Sequence, residues 1–304
     1  MTERLLDVRP EALVELTAAE LLKSIRAAEG RTILAEVVCP VMPLLYDVTN
    51  AELVAALGAD IILLNLYDAA NPAIFGVTPR EGESVIRALK YLTGRAIGVN
   101  LEPVDPDIPV LGSRVTLEPG RIATPQNARL AYEQGARLIV LTGNPQTGVS
   151  NTQIEKAIRR IRRELGDKII LAAGKMHGAG INGEMGENII TEESITGFIQ
   201  AGADIILMPA PGTVPGITPD FAKKLGDVVH REGALFMTTI GTSQEGADPQ
   251  TIRTIALNAK MAGADIHHLG DAGYVGIAVP ENIMHYSLVI RGRRHTFRRM
   301  AMRR

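Results

Sequence analysis

Gly58-Ala59-Asp60-Ile61-Ile62-Leu63-Leu64-Asn65 is the stretch that decides the fold. A glycine in the left-handed conformation stops a helix. The apolar run after Asp60 does not alternate with polar residues, so it reads as a strand buried on both faces. The same phrase returns as Gly202-Ala203-Asp204-Ile205-Ile206-Leu207-Met208 and as Gly263-Ala264-Asp265-Ile266-His267-His268-Leu269, with Gly135-Ala136-Arg137 as a variant. The units are otherwise unlike, so the recurrence predicts repeated helix-to-strand joints in a barrel, not a solenoid.

Outward from these joints, strands are expected at 33–38, 61–66, 96–101, 138–142, 169–173, 205–208, 235–240 and 265–269. Helix starts stand between them. Thr124-Pro125, Thr218-Pro219 and Asp248-Pro249 each put a capping side chain before a proline at the first helical position. Ser150 with Gln153 suggests a capping box, and Ile154, Ile158, Ile161 and Leu165 follow at helical spacing. Eight such units predict one (β/α)8 TIM barrel, a single domain over 1–304. An N-terminal helical extension over 1–30, with a helix at 16–28, would close its bottom. A C-terminal helix and Arg-rich end would occupy 280–304. The rival is an open doubly wound sheet.

Composition narrows the function classes. A net charge of −2 offers no global field for nucleic acid. No apolar run approaches the ~20 residues of a membrane span. The single cysteine, Cys39, leaves no intramolecular disulfide, which with the absence of a signal-like start suggests the cytoplasm. The expected partners are a small-molecule substrate and further copies of the chain. The 14 residues 291–304 hold seven arginines but one aromatic, a pattern of a solvated or subunit-contacting helix more than of a nucleic-acid module.

In a barrel, polar residues just after the strands converge on one mouth. They are Glu36 and Cys39 after the first strand, Asn65, Asp68 and Asn71 after the second, and Asn100 and Glu102 after the third. Thr142 and Asn144 follow the fourth, Lys175 and His177 the fifth, Thr239 the seventh, and His268 and Asp271 the eighth. Polar groups in such apolar runs cost free energy unless they are paired or solvated, which marks them for chemistry or for bracing. Glu36, Lys175 and His177 are the expected catalytic groups; Lys175 either faces the mouth or pairs with a buried Glu36. Asn65, Asn100, Glu102, Asn144 and His268 are expected to bind substrate. Cys39 reads as a buried inert thiol. Of His267 and His268 only one can face the mouth.

Two late loops, Gly241-Thr242-Ser243-Gln244-Glu245-Gly246 and Gly270-Asp271-Ala272-Gly273-Tyr274-Val275-Gly276, expose backbone N–H groups where many barrels hold phosphate. Gly241, Thr242, Ser243, Gly270, Gly273 and Gly276 are the expected phosphate contacts. The loop at 174–188 has five glycines in fifteen residues and reads as a lid that excludes water. No cofactor is demanded; Glu36, Glu102 and Asp271 could hold Mg2+ through oxygen ligands.

The arrangement around Lys175-Met176-His177-Gly178 and Gly270–Gly276 resembles a bacterial TIM-barrel family carrying the labels phosphoenolpyruvate phosphonomutase-like and haloacid dehalogenase-like. Phosphoenolpyruvate mutases and isocitrate lyases share an acidic Mg2+ cluster and a Lys–Cys–Gly–His lid motif. Here Lys175 and His177 stand in the glycine-rich loop without that cysteine, and no strand ends directly on an Asp-x-Asp pair, which speaks against the dehalogenase label. The expectation is an enzyme acting on a small phosphorylated or carboxylated metabolite, of lyase or isomerase type, through an enolate or carbanion. The alternatives are a ligand-sensing barrel without catalysis, and a metal-assisted hydrolase using Glu36, Glu102 and His268.

Overall fold

The computed structural model describes residues 3–302; Met1, Thr2, Arg303 and Arg304, the last two part of the Arg-rich end, lie outside the described residues. Eight strands form the sheet: β1 (Thr32–Val38), β2 (Ile61–Asn65), β3 (Ala96–Leu101), β4 (Leu138–Leu141), β5 (Ile170–Gly174), β6 (Ile205–Pro209), β7 (Leu235–Ile240) and β8 (Ile266–Leu269). Each pairs in parallel with the next, and β8 returns to β1 through Thr32–Ile266 to Ala35–Leu269. The sheet is therefore a closed (β/α)8 barrel, and the open doubly wound alternative is excluded.

The helices are α1 (Pro10–Leu13), α2 (Ala18–Ala27), α3 (Asn50–Ala56), α4 (Val85–Thr93), α5 (Pro125–Gln134), α6 (Asn151–Leu165), α7 (Glu192–Ala201), α8 (Pro219–Arg231), α9 (Pro249–Met261) and α10 (Pro280–Ala301). Thr124, Thr218 and Asp248 cap α5, α8 and α9 as their sequence implies. At α6 only half of the expected capping box forms: Ser150 Oγ accepts from the Gln153 N–H. No helix among the described residues is long and apolar enough to cross a membrane.

Strand periodicity sorts side chains into two apolar layers. Ile33, Ala35, Ile62, Leu64, Ile97, Val99, Leu171 and Ala173 point outward and are covered by the helices. Leu34, Ile61, Leu63, Val140, Ala172, Leu207 and Met237 fill the barrel, where Leu21 and Ile25 of α2 join them. The N-terminal helix thus closes the bottom, fixed by a Thr17–Glu20 capping box.

The recurring Gly-Ala-Asp has a second role beyond stopping helices. Gly58, Gly202 and Gly263 all have φ between 94° and 112°. The aspartate that follows accepts a hydrogen bond from a backbone N–H of the preceding strand. Asp60 accepts from Ile33 at 2.9 Å, Asp204 from Leu171 at 2.9 Å and Asp265 from Phe236 at 2.8 Å. Each carboxylate also holds a basic side chain: Arg291 and Arg299 at Asp60, Arg162 at Asp204, His230 at Asp265.

This revises the reading of the Arg-rich end. Arg291 and Arg299 are buried at 6% and 0% exposure, and Arg95 donates to the carbonyls of Ala59, Ala55 and Arg299. Arg291 and Arg299 thus tie α10 to the bottom of the barrel, while Arg293, Arg294 and Arg298 of the same helix stay exposed as the sequence implies.

Candidate active site

Strand parity decides which rim residues see the mouth. Glu36, Asn65, Asn100 and Thr142 continue the inward rows of β1 to β4 and line a cavity of about 530 Å³ over the C-terminal end of the barrel. Such a volume suits a small metabolite. Lys175 follows Leu171 and Ala173 in the outward row, so it does not line this cavity. Its side chain is fully buried and its ammonium is bound by Glu184, not by Glu36. Burial outweighs that partner and lowers the Lys175 pKa.

A network of amides fixes the near wall. Asn65 Nδ2 donates to Asp271 at 2.8 Å and to Asn144 Oδ1 at 3.0 Å, while Asn65 Oδ1 accepts from Asn100 and Asn144. Glu102 stands behind it, 1% exposed. One of its oxygens accepts from Arg121 and Asn144 Nδ2, and the other accepts from the Asn144 backbone N–H. Glu102 is therefore a brace for Asn144 and does not line the cavity, contrary to its expected place among the binding groups.

Three carboxyl groups remain on the cavity wall: Glu36, Glu245 and Asp271. Burial, then the charges of Glu245 and Glu102, push the Glu36 carboxyl up to about 8. Asp271 is pushed up to about 7 by burial and by Glu36, against the Asn65 hydrogen bond. Burial also raises Glu245. His268 lies beneath the wall, 1% exposed, with Nε2 3.0 Å from Glu36 Oε2. The angle is not that of a hydrogen bond, and neither ring nitrogen of His268 has a hydrogen-bond partner among the described residues. Burial drives His268 down to about 4. Its neighbour His267 faces outward between Tyr286 and the Gly30 carbonyl, as alternation requires.

The glycine-rich segment after β5 supplies the far wall through Met176, His177 and Gly180. It lies against the loop after β3, where the Leu111 N–H donates to the Gly180 carbonyl at 2.8 Å. His177 Nδ1 accepts from the Ala179 N–H at 3.1 Å, which leaves the ring proton on Nε2. Burial and Lys175 lower this imidazole to about 4, so it is neutral at physiological pH. Cys39 is buried with its thiol raised, consistent with an inert role.

Backbone strain is concentrated at this end. Among the described residues, six that are not glycine have positive φ. Five of them, Leu66, Gln146, Ala179, Ser243 and Val275, stand in loops after β2, β4, β5, β7 and β8. Such conformations cost of order 1–3 kcal/mol each and cluster where a loop's shape serves function.

Of the expected phosphate contacts, Gly241, Thr242, Ser243 and Gly270 line the cavity; Gly273 and Gly276 do not. Gly273 is required by close packing, since a Cβ there would lie 2.5 Å from the Val279 nitrogen. The Gly276 carbonyl accepts from the Val38 N–H. Between the two loops stands the side chain of Glu245, whose Oε1 accepts from the Ala272 N–H at 2.9 Å. The sequence marked the loop but not this residue: nothing in a glycine-rich turn shows that its one glutamate folds inward.

The expected Mg2+ set does not fit. Both Glu102 oxygens are engaged by Arg121 and Asn144, and among the described residues no group of three or more His, Cys, Asp or Glu is arranged to hold a metal ion. The hydrolase alternative, which used Glu36, Glu102 and His268, loses its metal set with it.

A family model described as a domain of unknown function (DUF7916) matches residues 6–304. No curated protein matches the sequence. Among solved structures, a Schiff-base-forming fructose-1,6-bisphosphate aldolase is similar at 13% identity and a TM-score of 0.56, over 90% of this chain and 99% of that one. 2,3-Dimethylmalate lyase, a member of the PEP mutase/isocitrate lyase superfamily, is similar at 15% identity and 0.50, over 86% and 82%. An aldolase, QR15, is similar at 15% and 0.50, over 86% and 98%. At these identities the likeness is one of fold. That fold is the barrel expected from the resemblance, and none of these structures is a haloacid dehalogenase.

Proposed function

The chain belongs to the DUF7916 family, and for it we propose an enzyme of lyase or isomerase type that moves protons on a small metabolite at the C-terminal mouth of the barrel. The observation that carries this reading is Glu36: a carboxyl on the cavity wall, 3% exposed, raised to about 8, with a neutral imidazole 3.0 Å behind it. A base of that strength, held in a dry site, is matched to removing a proton from carbon next to a carbonyl, or from a hydroxyl whose loss breaks a C–C bond.

The rest of the wall supports the same chemistry. His177 is neutral with its proton on Nε2, and can donate a hydrogen bond to an oxygen on which negative charge develops. Asn65 and Asn144 are held by their network and keep the wall rigid, which lowers the cost of orienting a substrate. His268 does not line the cavity; as a neutral ring packed beneath Glu36 it helps keep that carboxyl away from water. Lys175 has no place in this scheme, so a Schiff base on it is not proposed.

The test is deuterium exchange. Small hydroxy-carbonyl compounds are incubated with the protein in D2O and followed by proton NMR for loss of C–H signal or for C–C cleavage. The expected result is exchange with the wild-type chain that is lost in Glu36→Gln. Turnover that survives unchanged in Glu36→Gln overturns the proposal. A ligand-sensing barrel would bind without any exchange.

A further inference from the structure

The chemistry of the mouth also bears on the class of substrate, an inference that rests on the mouth being the substrate site. Three of the residues that line the cavity each carry a buried polar atom with no hydrogen-bond partner among the described residues: Glu245 Oε2, Asn100 Oδ1 and Thr142 Oγ1. The first is an acceptor when ionised and the second an acceptor always; only the threonine hydroxyl can also donate. No Lys or Arg is among the described residues that line the cavity.

Glu245 occupies the position where a phosphate was expected. It is wholly buried, and Oε1 accepts the Ala272 N–H. That oxygen would also lie 2.9 Å from a Cβ built on Gly270, so the carboxylate is pressed against the backbone of the last loop. The residue's own main chain is fixed by Asn282, whose Nδ2 donates to the Glu245 carbonyl at 2.9 Å. An incoming phosphate would find the Ala272 N–H taken by Glu245 and the Gly270 N–H by the Ile240 carbonyl, a carboxyl group beside them and no Lys or Arg on the wall.

We infer that Glu245 sets substrate class as a built-in carboxylate plug, so that the cavity takes an unphosphorylated, hydroxyl-rich molecule of sugar or polyol type whose hydroxyls donate to Glu245 Oε2 and Asn100 Oδ1. The unsatisfied acceptors stand on opposite sides of the ring, after β7 and on β3. A single compact cation cannot span them, whereas a chain of hydroxyls can.

The experiment follows backbone amides of the 15N-labelled protein with inorganic phosphate, D-ribose and D-ribose 5-phosphate as probes. In the wild-type chain, phosphate is expected to leave the Gly241, Gly270 and Ala272 amides unmoved, and the ester to bind no more tightly than the parent sugar. Glu245→Ala opens the plug, and phosphate affinity at those amides is expected to rise about tenfold or more, the worth of the freed Ala272 N–H donating to a charged group and of the carboxyl removed. Glu245→Gln keeps an acceptor for the Ala272 N–H, so phosphate is expected to stay out. Phosphate shifts at these amides in the wild type or in Glu245→Gln overturn the inference, and so does a tighter ester. Those two arms decide the question even if Glu245→Ala does not fold. Because the readout is binding, it is separate from the exchange test: loss of exchange chemistry would remove the enzymatic reading and leave the plug standing.

Discussion

Glu36 Oε2 stands 3.0 Å from His268 Nε2, and neither side chain is more than 3% exposed. Their shifts run in opposite senses, the carboxyl up to about 8 and the imidazole down to about 4. Near neutrality the carboxyl therefore keeps its proton, the imidazole is neutral, and the pair carries no net charge. Burial drives both shifts, and the nearby carboxylates add to that of Glu36 and oppose that of His268.

The first expectation is a pH profile. If Glu36 acts as base, exchange activity rises about tenfold per pH unit toward about 8 and levels off above it. Glu36→Gln should lower activity by roughly 10²–10⁴-fold at the plateau, the usual contribution of a positioned base. A flat profile between about pH 6 and 9 would remove Glu36 from the proton transfer.

The same residue should make the protein less stable as pH rises. The folded state holds a proton on Glu36 that the unfolded chain releases from about pH 4.5 upward. The stabilisation is full below that point and is lost as pH climbs through about 8. Glu36→Gln cannot titrate, so its melting temperature should match the wild type near pH 4.5 and exceed it by several degrees near pH 8.5. Equal melting curves at both ends would mean that Glu36 is not desolvated.

Lys175→Met should act on stability first. It removes the fully buried ammonium that Glu184, at 22% side-chain exposure, binds from within the loop after β5. Breaking a buried pair costs about 3–5 kcal/mol, and the partly exposed partner puts this case near the lower end. Thermal unfolding measures the loss, and borohydride with a turned-over substrate should trap no adduct on Lys175. An adduct there would restore the Schiff base.

The most and the least buried of the aspartate clamps, Asp60 and Asp265, should differ in what they contribute. Asp60, 1% exposed between Arg291 and Arg299, should lose about 3–5 kcal/mol on Asp60→Asn, because two buried guanidinium groups keep no countercharge. Asp265 faces His230 at 40% side-chain exposure, so Asp265→Asn should cost about 1 kcal/mol or less. The hydrogen bond that His230 donates to Asp265 raises the His230 pKa, so that contribution is present at low pH and fades as pH rises through the raised value. Urea unfolding of the two variants near neutral pH tests the order.

The barrel was legible because its signals are local. Strands β1 to β8 lie within a residue or so of the apolar runs, and the caps at Thr124, Thr218 and Asp248 need only their own helix. The mouth was legible where parity alone decides, as for Glu36, Asn65 and Asn100. Lys175 was misplaced by one position of that parity, which turned a candidate catalytic cation into a loop anchor. Glu102 and Glu245 depended on partners distant in sequence, Arg121 and Asn144 for one and Ala272 for the other, and no periodicity announces those.

The Asp60–Arg291 pair joins positions 231 residues apart. Asp60 leaves the ribosome long before its cations exist, and until residues 291–299 follow, burying it would strand a charge. Closing the ring early is therefore penalised, and non-local contacts of this span form slowly. Synthesis itself sets an order of assembly, in which the growing chain stays open at this seam until the segment carrying Arg291 and Arg299 is available to seal it.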